Sequence, residues 1–240
     1  GWAGDDEVQV AADDVRAVRA AHARIAPYMQ PSPLYNYPLL DEAVGHGIQV
    51  LVKHENFNPT NSFKVRNGLS FMTALPEDQR ARGVVAATRG NHGLGIAFAG
   101  RAFGVRTVIC VPVGNNPDKN AGMRALGARV IEEGRDYDES VQVAYRLVAE
   151  EGMALAHSTN DATVLAGAAT LSLEMFQQAG RLDAVVAVVG GGSQAVGALT
   201  IARALSPETK VYAVQATGAS AAHDSWHAGE RRTTERADRR

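Results

Sequence analysis

Short apolar segments alternate with helix-forming stretches along most of the chain, and this alternation constrains the fold more than any other feature. The regular pattern begins with the strand-like segment at 83–87, which leads into a helix, and it ends with the strand-like segment at 210–214. Strands that alternate with helices are typical of parallel sheets with right-handed crossovers. Two of the segments, 108–111 and 185–189, are continuously apolar, which predicts strands that are buried on both faces. The sequence therefore predicts an α/β fold.

The individual elements follow from apolar periodicity and from turn residues. A helix is expected over 15–25, capped by Asp13 or Asp14, and an extended linker at 31–34. The other predicted helices span 68–74, 92–103, 119–126, 137–149, 163–178 and 195–205, and the other predicted strands span 48–52, 107–111, 129–131, 153–156 and 184–189.

Two of the predicted strand-to-helix turns are rich in small residues. One runs from Thr88 to Gly95, and the other begins at Gly190, Gly191, Gly192 and Ser193. Such a turn leaves backbone N–H groups free at a helix N-terminus, where they bind anions. Tight packing is the alternative interpretation of either turn. A dinucleotide site at the second turn is disfavoured, because the next strand leads into Gln215 rather than an acidic residue.

A single lysine, Lys64, follows a polar turn and opens another predicted helix. The helix dipole disfavours an ammonium ion at this end, and burial would lower the pKa of Lys64 further. A lysine of this kind can form a Schiff base with a carbonyl compound. The alternative is a solvated lysine in a first helical turn.

Together, in this order, the lysine segment, the Gly90-Asn91-His92 turn and the glycine loop resemble the fold-type-II pyridoxal-phosphate enzymes, and in particular the threonine/serine dehydratases (threonine ammonia-lyases). The resemblance extends from about residue 15 to residue 226. It implies a tryptophan-synthase-beta-like fold with two three-layer α/β/α domains and parallel sheets. The cofactor implied is pyridoxal 5'-phosphate. The activity implied is elimination of water and ammonia from a hydroxy amino acid, giving a 2-oxo acid.

The resemblance also assigns roles to residues. Lys64 would hold the cofactor as a Schiff base and move the Cα proton, with Phe63 beside the pyridine ring and Ser62 near the phosphate or the leaving group. Asn91 would hydrogen-bond the 3-hydroxyl of the cofactor. The phosphate would be bound by Gly190, Gly191, Gly192 and Ser193, and the substrate carboxylate by the loop of Thr88, Arg89, Gly90, Asn91 and His92.

The domains implied by the resemblance are an N-terminal part of the large domain at 1–82, a small inserted domain at 83–155 and a C-terminal part of the large domain at 156–226. Relatives usually continue further, so that the last part is expected to be incomplete. The charged end at 227–240 is expected to be disordered. A truncated, inactive cofactor-binding remnant is therefore one alternative function, and a β/γ-replacement enzyme of the threonine-synthase or cysteine-synthase type is the other.

Four positions depart from the pattern of the dehydratases. Arg89 stands where racemases of the group use a serine as acid and base, which disfavours racemization; it could pair with an acidic substrate group or be a solvated loop residue. Ser193 and Gln194 replace a glycine and a leucine. Glycines are also replaced by Asn61 and Asn67, a change that favours a less characterised subgroup, such as hydroxyectoine-degradation dehydratases. Gln215 replaces a glutamate that binds a divalent cation in some relatives, so no metal is expected there.

Composition narrows the partners and the compartment. The net charge of −2 gives no electrostatic reason to expect nucleic acid or an anionic membrane. No apolar stretch is long enough to span a bilayer. The single cysteine, Cys110, lies in an apolar run and is expected to be a buried thiol, which suggests a reducing cytoplasm. The expected partner is a small amino acid substrate, and the resemblance implies a homodimer.

Overall fold

A computed structural model describes residues 15–233 of the chain. The predicted helix cap at Asp13 or Asp14 and residues 234–240 of the charged C-terminal segment lie outside the described residues. Within 15–233 the helices are α1 (Val15–Ile25), α2 (Pro38–Val44), α3 (Lys64–Ala74), α4 (Glu77–Arg82), α5 (Asn91–Phe103), α6 (Pro117–Ala125), α7 (Tyr137–Glu151), α8 (Ala162–Ala179), α9 (Ser193–Leu205) and α10 (Ala221–Ala228). The strands are β1 (Leu34–Asn36), β2 (Leu51–Lys53), β3 (Val84–Ala87), β4 (Thr107–Val111), β5 (Arg129–Glu132), β6 (Ala154–Leu155), β7 (Ala184–Val188) and β8 (Lys210–Val214).

Four strands form a parallel sheet in the order β5-β4-β3-β6. Alternate residues of a strand point to opposite faces, and both faces of this sheet are covered. Val84 and Ile109 pack on one side in a core that includes residues of α5 and α6, whereas Val85 and Val108 pack on the other side in a core that includes residues of α7. The expectation that 108–111 is buried on both faces is confirmed, and the sheet is the middle of three α/β/α layers.

The second parallel sheet consists of β7 and β8. Val185 and Ala187 are buried in a core with residues of α1, α8 and α9. The alternate residues Val186 and Val188 are 67% and 63% exposed, respectively. The prediction that 185–189 is buried on both faces is therefore wrong for β7, because no element within 15–233 covers its second face.

Short elements account for the other differences between prediction and structure. The expected linker at 31–34 leads into β1, which pairs antiparallel with β2. Helices α2, α4 and α10 have no counterpart among the predicted elements, since each has eight residues or fewer and shows little apolar periodicity. Helix α3 begins at Lys64 itself rather than four residues later, which places the lysine in its first turn.

Helix α3 lies between α5 and α8 and is in close contact with both of them at three glycines. A Cβ atom on Gly68 would lie 2.2 Å from the carbonyl oxygen of Gly95, and one on Gly95 would lie 2.3 Å from the carbonyl oxygen of Lys64. On the other side of α3, a Cβ atom on Gly167 would lie 2.6 Å from the carbonyl oxygen of Arg66. These distances leave no room for a side chain, so the glycines fix how closely Lys64 approaches the start of α5.

All strands of the four-stranded sheet lie between residues 84 and 155. The division of the chain into domains at 82/83 and 155/156 stays a prediction. Within 15–233, no helix has the length and apolar character needed to cross a membrane.

Candidate active site

Lys64 is the first residue of α3, and its side chain is half-buried. Burial lowers the pKa of its ammonium group to about 8, from an ordinary value of 10.5. Its Nζ atom lies 5.0 Å from the centroid of the Phe63 ring. No carboxylate among the described residues forms an ion pair with Lys64 that would favour its charged form. A substantial fraction of this amine is therefore neutral and nucleophilic near pH 8.

The amine of Lys64 meets the glycine loop in space. Lys64 Nζ donates to Ser193 Oγ at 3.3 Å, although the two residues are 129 positions apart in the sequence. Ser193 is buried and is the first residue of α9. The N-terminus of α9, with its unpaired backbone N–H groups, therefore faces the reactive lysine.

Two positions of the loop before α9 favour glycine, one for lack of space and one for its backbone conformation. A Cβ atom on Gly191 would lie 2.3 Å from Thr159 Cγ2. Gly192 has φ of +99°, in a region of backbone conformation that favours glycine. Gly190 is exposed and has no neighbour near its Cβ position. The loop thus presents open backbone at the end of β7, as an anion-binding turn requires.

The loop between β3 and α5 is held by its own polar groups. Thr88 is buried, and its Oγ1 accepts a hydrogen bond from the backbone N–H of Gly90 at 2.9 Å. Asn91 is exposed at the first position of α5, and its Oδ1 accepts from Lys119 Nζ at 2.6 Å. The backbone N–H groups of the first turn of α5 have no partner within the helix and are available to an anionic ligand.

The side chain of His92 points into the protein interior. Its Nε2 atom donates to the carbonyl oxygen of Ala156 at 2.9 Å, so the ring carries its proton on Nε2 when it is neutral. Burial is the main cause that lowers the pKa of His92 to about 4. Its Nδ1 atom is buried and has no hydrogen-bond partner within the described part of the chain. A contact of His92 with a ligand would therefore come from its backbone.

Arg89 is exposed and forms no hydrogen bond or ion pair with any residue in 15–233. A guanidinium group has N–H donors and no acceptor, so Arg89 has no atom that could take a proton from a substrate. The residue is accordingly available to an anionic ligand, or to solvent.

Hydrogen bonds hold the polar turn before Lys64. Ser62 Oγ accepts from the backbone N–H of Lys64 at 3.3 Å, and the carbonyl oxygen of Ser62 accepts from Asn58 Nδ2 at 3.2 Å. Asn61 adopts φ of +54°, a left-handed conformation that asparagine tolerates better than most residues. This conformation explains why asparagine can replace the glycine that the dehydratases have at this position.

A buried ionic cluster supports the start of α3, and the sequence analysis did not identify it as a unit. Arg66 is fully buried and binds Glu55 through Nε at 2.7 Å and Glu174 through Nη2 at 2.8 Å. Lys53 Nζ donates to Glu174 at 2.7 Å, and His22 Nε2 lies 3.2 Å from the same carboxylate. The only sequence signal was the position of Arg66 two residues after the lysine. The cluster joins α1, β2, α3 and α8 directly behind the lysine.

Gln215, the residue after β8, uses its side chain within the protein. Its Oε1 atom accepts from the backbone N–H groups of Ala222 and His223 at 3.1 Å and 3.2 Å. The amide therefore caps the first turn of α10. No group of three or more His, Cys, Asp or Glu side chains within 15–233 is arranged to hold a metal ion.

The residues assembled around Lys64 fit pyridoxal phosphate. A neutral amine suits a carbonyl carbon, and an open glycine turn at a helix N-terminus suits a phosphate group. Lys64, Phe63 and Ser193 are in contact or nearly so, whereas Asn91 belongs to a separate loop that the Gly68–Gly95 contact brings towards the lysine.

Comparison with known proteins identifies the same chemistry. Residues 25–240 match the family model described as "Pyridoxal-phosphate dependent enzyme". The chain is 34% identical over 184 residues to the L-threonine ammonia-lyase of Geobacter sulfurreducens and 38% identical over 169 residues to that of Thermotoga maritima. These matches cover 77% and 70% of this chain but only 46% and 42% of the relatives. The chain thus spans less than half the length of these curated relatives.

Solved structures give the same result for the fold. The maize serine racemase structure superposes with a TM-score of 0.90 at 28% identity, covering 94% of this chain and 68% of that one. A threonine deaminase from T.th. superposes with a TM-score of 0.86 at 37% identity, covering 93% and 71%. These matches confirm the predicted fold-type-II architecture. The family model, which covers most of the chain, shows that this protein belongs to the pyridoxal-phosphate-dependent enzymes.

Proposed function

We propose that the protein is a pyridoxal-phosphate-dependent ammonia-lyase that eliminates water from a hydroxy amino acid of the threonine or serine type; the resulting enamine then takes up water and releases ammonia, which leaves a 2-oxo acid. The observation that carries the proposal is the 3.3 Å contact between Lys64 Nζ and Ser193 Oγ, which joins a lysine of lowered pKa to an anion-binding turn. The names of the threonine ammonia-lyase and threonine deaminase relatives support the choice of reaction.

In this proposal each loop has one task. Lys64 binds the cofactor through Nζ, and Phe63 lies beside the pyridine ring. The turn of Gly190, Gly191, Gly192 and Ser193 binds the phosphate through its backbone N–H groups and the Ser193 hydroxyl. When bound, the cofactor supplies the electron sink for the bond that breaks at Cα of the substrate.

The substrate is bound by the loop before α5, which consists of Thr88, Arg89, Gly90, Asn91 and His92. Backbone N–H groups at the start of α5 bind its carboxylate, and the amide of Asn91 binds the 3-oxygen of the cofactor. The neutral amine of Lys64 would remove the Cα proton of the substrate. Ser62 lies next to Lys64 in the turn, where its hydroxyl can donate a proton to the leaving group.

The proposal extends to architecture and surroundings. We place the cofactor between a small domain at 83–155 and a large domain formed by 1–82 and 156–226, since domain clefts are common ligand sites. Cys110, the single cysteine, is buried as a free thiol, which suits a reducing cytoplasm. A homodimer follows from the family resemblance, and light scattering of the purified protein tests it.

The deciding experiment is the visible spectrum of the purified chain with added pyridoxal phosphate, for the wild type and for Lys64→Ala. Lys210→Ala is the matched control, because Lys210 is an exposed lysine at the opposite end of the β7–β8 sheet from the glycine loop. We expect a yellow band that requires Lys64, is unchanged in the control and changes on addition of threonine or serine as a 2-oxo acid accumulates.

The other outcomes separate the alternatives. A Lys64-dependent band that yields product only in the presence of a second nucleophile would favour a β/γ-replacement enzyme. A band without turnover in either assay would favour an inactive cofactor-binding remnant. The absence of a Lys64-dependent band in folded protein would refute the proposal.

A further inference from the structure

Lys119 occupies a position that is electrostatically unfavourable for a lysine. It is the third residue of α6 and contacts Asn91, the first residue of α5. The N-terminus of each helix carries a partial positive charge. The ammonium group of Lys119 lies close to the N-termini of both α5 and α6. A positive charge there destabilises the fold unless another interaction compensates for it.

The compensating interaction is with the amide of Asn91. Lys119 Nζ lies 2.6 Å from Asn91 Oδ1. An ammonium group has only hydrogen atoms to donate, so the atom that faces it must be the amide oxygen. The amide NH₂ of Asn91 is thereby turned away from Lys119. It has no hydrogen-bond partner among residues 15–233.

Packing around the first turn of α6 holds Lys119 in this place. The side chain of Asn116 caps the helix by accepting from the backbone N–H of Lys119 at 3.2 Å. The methylene groups of Lys119 pass 3.7–3.8 Å from the position of a Cβ on Gly90. Further along α6, the Met123 sulfur lies 2.5 Å from the Cβ position of Gly93 on α5. The two helices are therefore in tight contact, and Lys119 has little freedom to move away from Asn91.

We propose that Lys119 is a positioning residue that fixes the orientation of the Asn91 amide, so that its NH₂ donates to the 3-oxygen of pyridoxal phosphate and favours the ionised form of that oxygen. The inference rests on the proposed role of Asn91. Without the cation, the Asn91 amide could rotate by half a turn and present its oxygen to the cofactor. That amide oxygen would repel an ionised 3-oxygen. No role for Lys119 follows from the sequence motifs.

The test loads wild type, Lys119→Met and Lys119→Arg with pyridoxal phosphate and records the visible spectrum across pH. The long-wavelength band reports cofactor bound through Lys64 with its 3-oxygen ionised. In Lys119→Met we expect a loss of this band in favour of the short-wavelength form, and cofactor binding weaker by about tenfold, as for one hydrogen bond to a charged group. Lys119→Arg should restore both. Lys210→Met, which removes an exposed lysine of β8, is the control and should match the wild type.

A double-mutant comparison shows whether Lys119 acts through Asn91. In an Asn91→Ala background, Lys119→Met should cause no further loss of the band. An equal loss in both backgrounds would mean that Lys119 contacts the ligand itself and would overturn the inference. An unchanged spectrum in Lys119→Met, or weaker binding without a spectral change, would also overturn it. Circular dichroism checks folding, and Lys119→Leu, which likewise has no donor for Asn91, replaces Lys119→Met if that variant does not fold.

A failure of the proposed cofactor site can be distinguished from a failure of the inference about Lys119. If the wild type itself gives no Lys64-dependent band, the proposed cofactor site is wrong, and the inference about Lys119 is overturned with it. If the wild type gives the band and only the response to Lys119→Met is missing, the site stands and Lys119 has no positioning role.

Discussion

Replacing Glu174 with glutamine is expected to destabilise the protein by ~3–5 kcal/mol, as when one partner of a buried ion pair is removed. Glu174 is 4% exposed and accepts from Arg66 Nη1 and Nη2, both at 2.8 Å, and from Lys53 at 2.7 Å. Glutamine has the same shape but directs an NH₂ group at one of these donors. The substitution also leaves Glu55 as the remaining carboxylate of the cluster, beside two cations, Arg66 and Lys53.

The matched control is Glu132→Gln. Glu132 accepts from Arg124 at the same distance of 2.7 Å, but the two side chains are 39% and 51% exposed. An exposed ion pair of this kind contributes about 0–1 kcal/mol. The free energy of unfolding is measured by urea denaturation, with the slope m compared between variants. A loss for Glu174→Gln as small as that for Glu132→Gln would refute the reasoning that burial makes this cluster important.

The same cluster predicts a dependence on pH. Burial alone would raise the pKa of Glu174, but hydrogen bonds from His22, Arg66 and Lys53 outweigh it and hold the pKa below its ordinary range. A carboxyl group with a lowered pKa in the folded state contributes stability that is present above the unfolded pKa of about 4.3 and is lost as the pH falls below it. Unfolding free energies should therefore fall below about pH 4.3 in the wild type. They should fall less steeply in Glu174→Gln, and equal slopes would contradict this assignment.

Three further predictions concern the candidate site. Gly95→Ala should destabilise the protein by ~1–3 kcal/mol in urea denaturation, because the new Cβ would lie 2.3 Å from the Lys64 carbonyl oxygen. Gly122→Ala should have a smaller effect, since its Cβ would meet only the movable tip of Leu94 at 3.0 Å, and equal effects would contradict the argument. The rate at which Lys64 couples to pyridoxal phosphate in stopped-flow absorbance should rise with pH and level off above a pKa of about 8, because the neutral amine reacts; a rate independent of pH would contradict it. Chiral chromatography should detect no D-amino acid formed from the L-substrate, because the guanidinium group of Arg89 has no acceptor for a substrate proton, and a D-product would refute that assignment.

Much of the fold could be predicted from residue patterns. Helices with clear apolar periodicity, such as α1 and α8, appear within a residue or two of the predicted bounds. The strand at 107–111 was predicted with the bounds that it has in the structure. Elements too short to show a period, such as α2 and α4, were not predicted. Burial of β7 was overestimated, because an apolar run indicates what a strand could bury and not which elements are present to cover it.

The same distinction between local residue pattern and tertiary contact applies to the candidate site. Residue type and local spacing are enough to predict the chemical groups of the site, which are a lysine at a helix N-terminus, a polar loop after β3 and a glycine turn after β7. The folded chain was needed to see that Lys64 contacts Ser193 across 129 positions, that Arg66 contacts Glu174 across 108, and that Lys119 contacts Asn91. Those contacts depend on how closely α3 approaches α5 and α8, and that distance is set by backbone contacts at Gly95 and Gly167, which act between segments far apart in the chain.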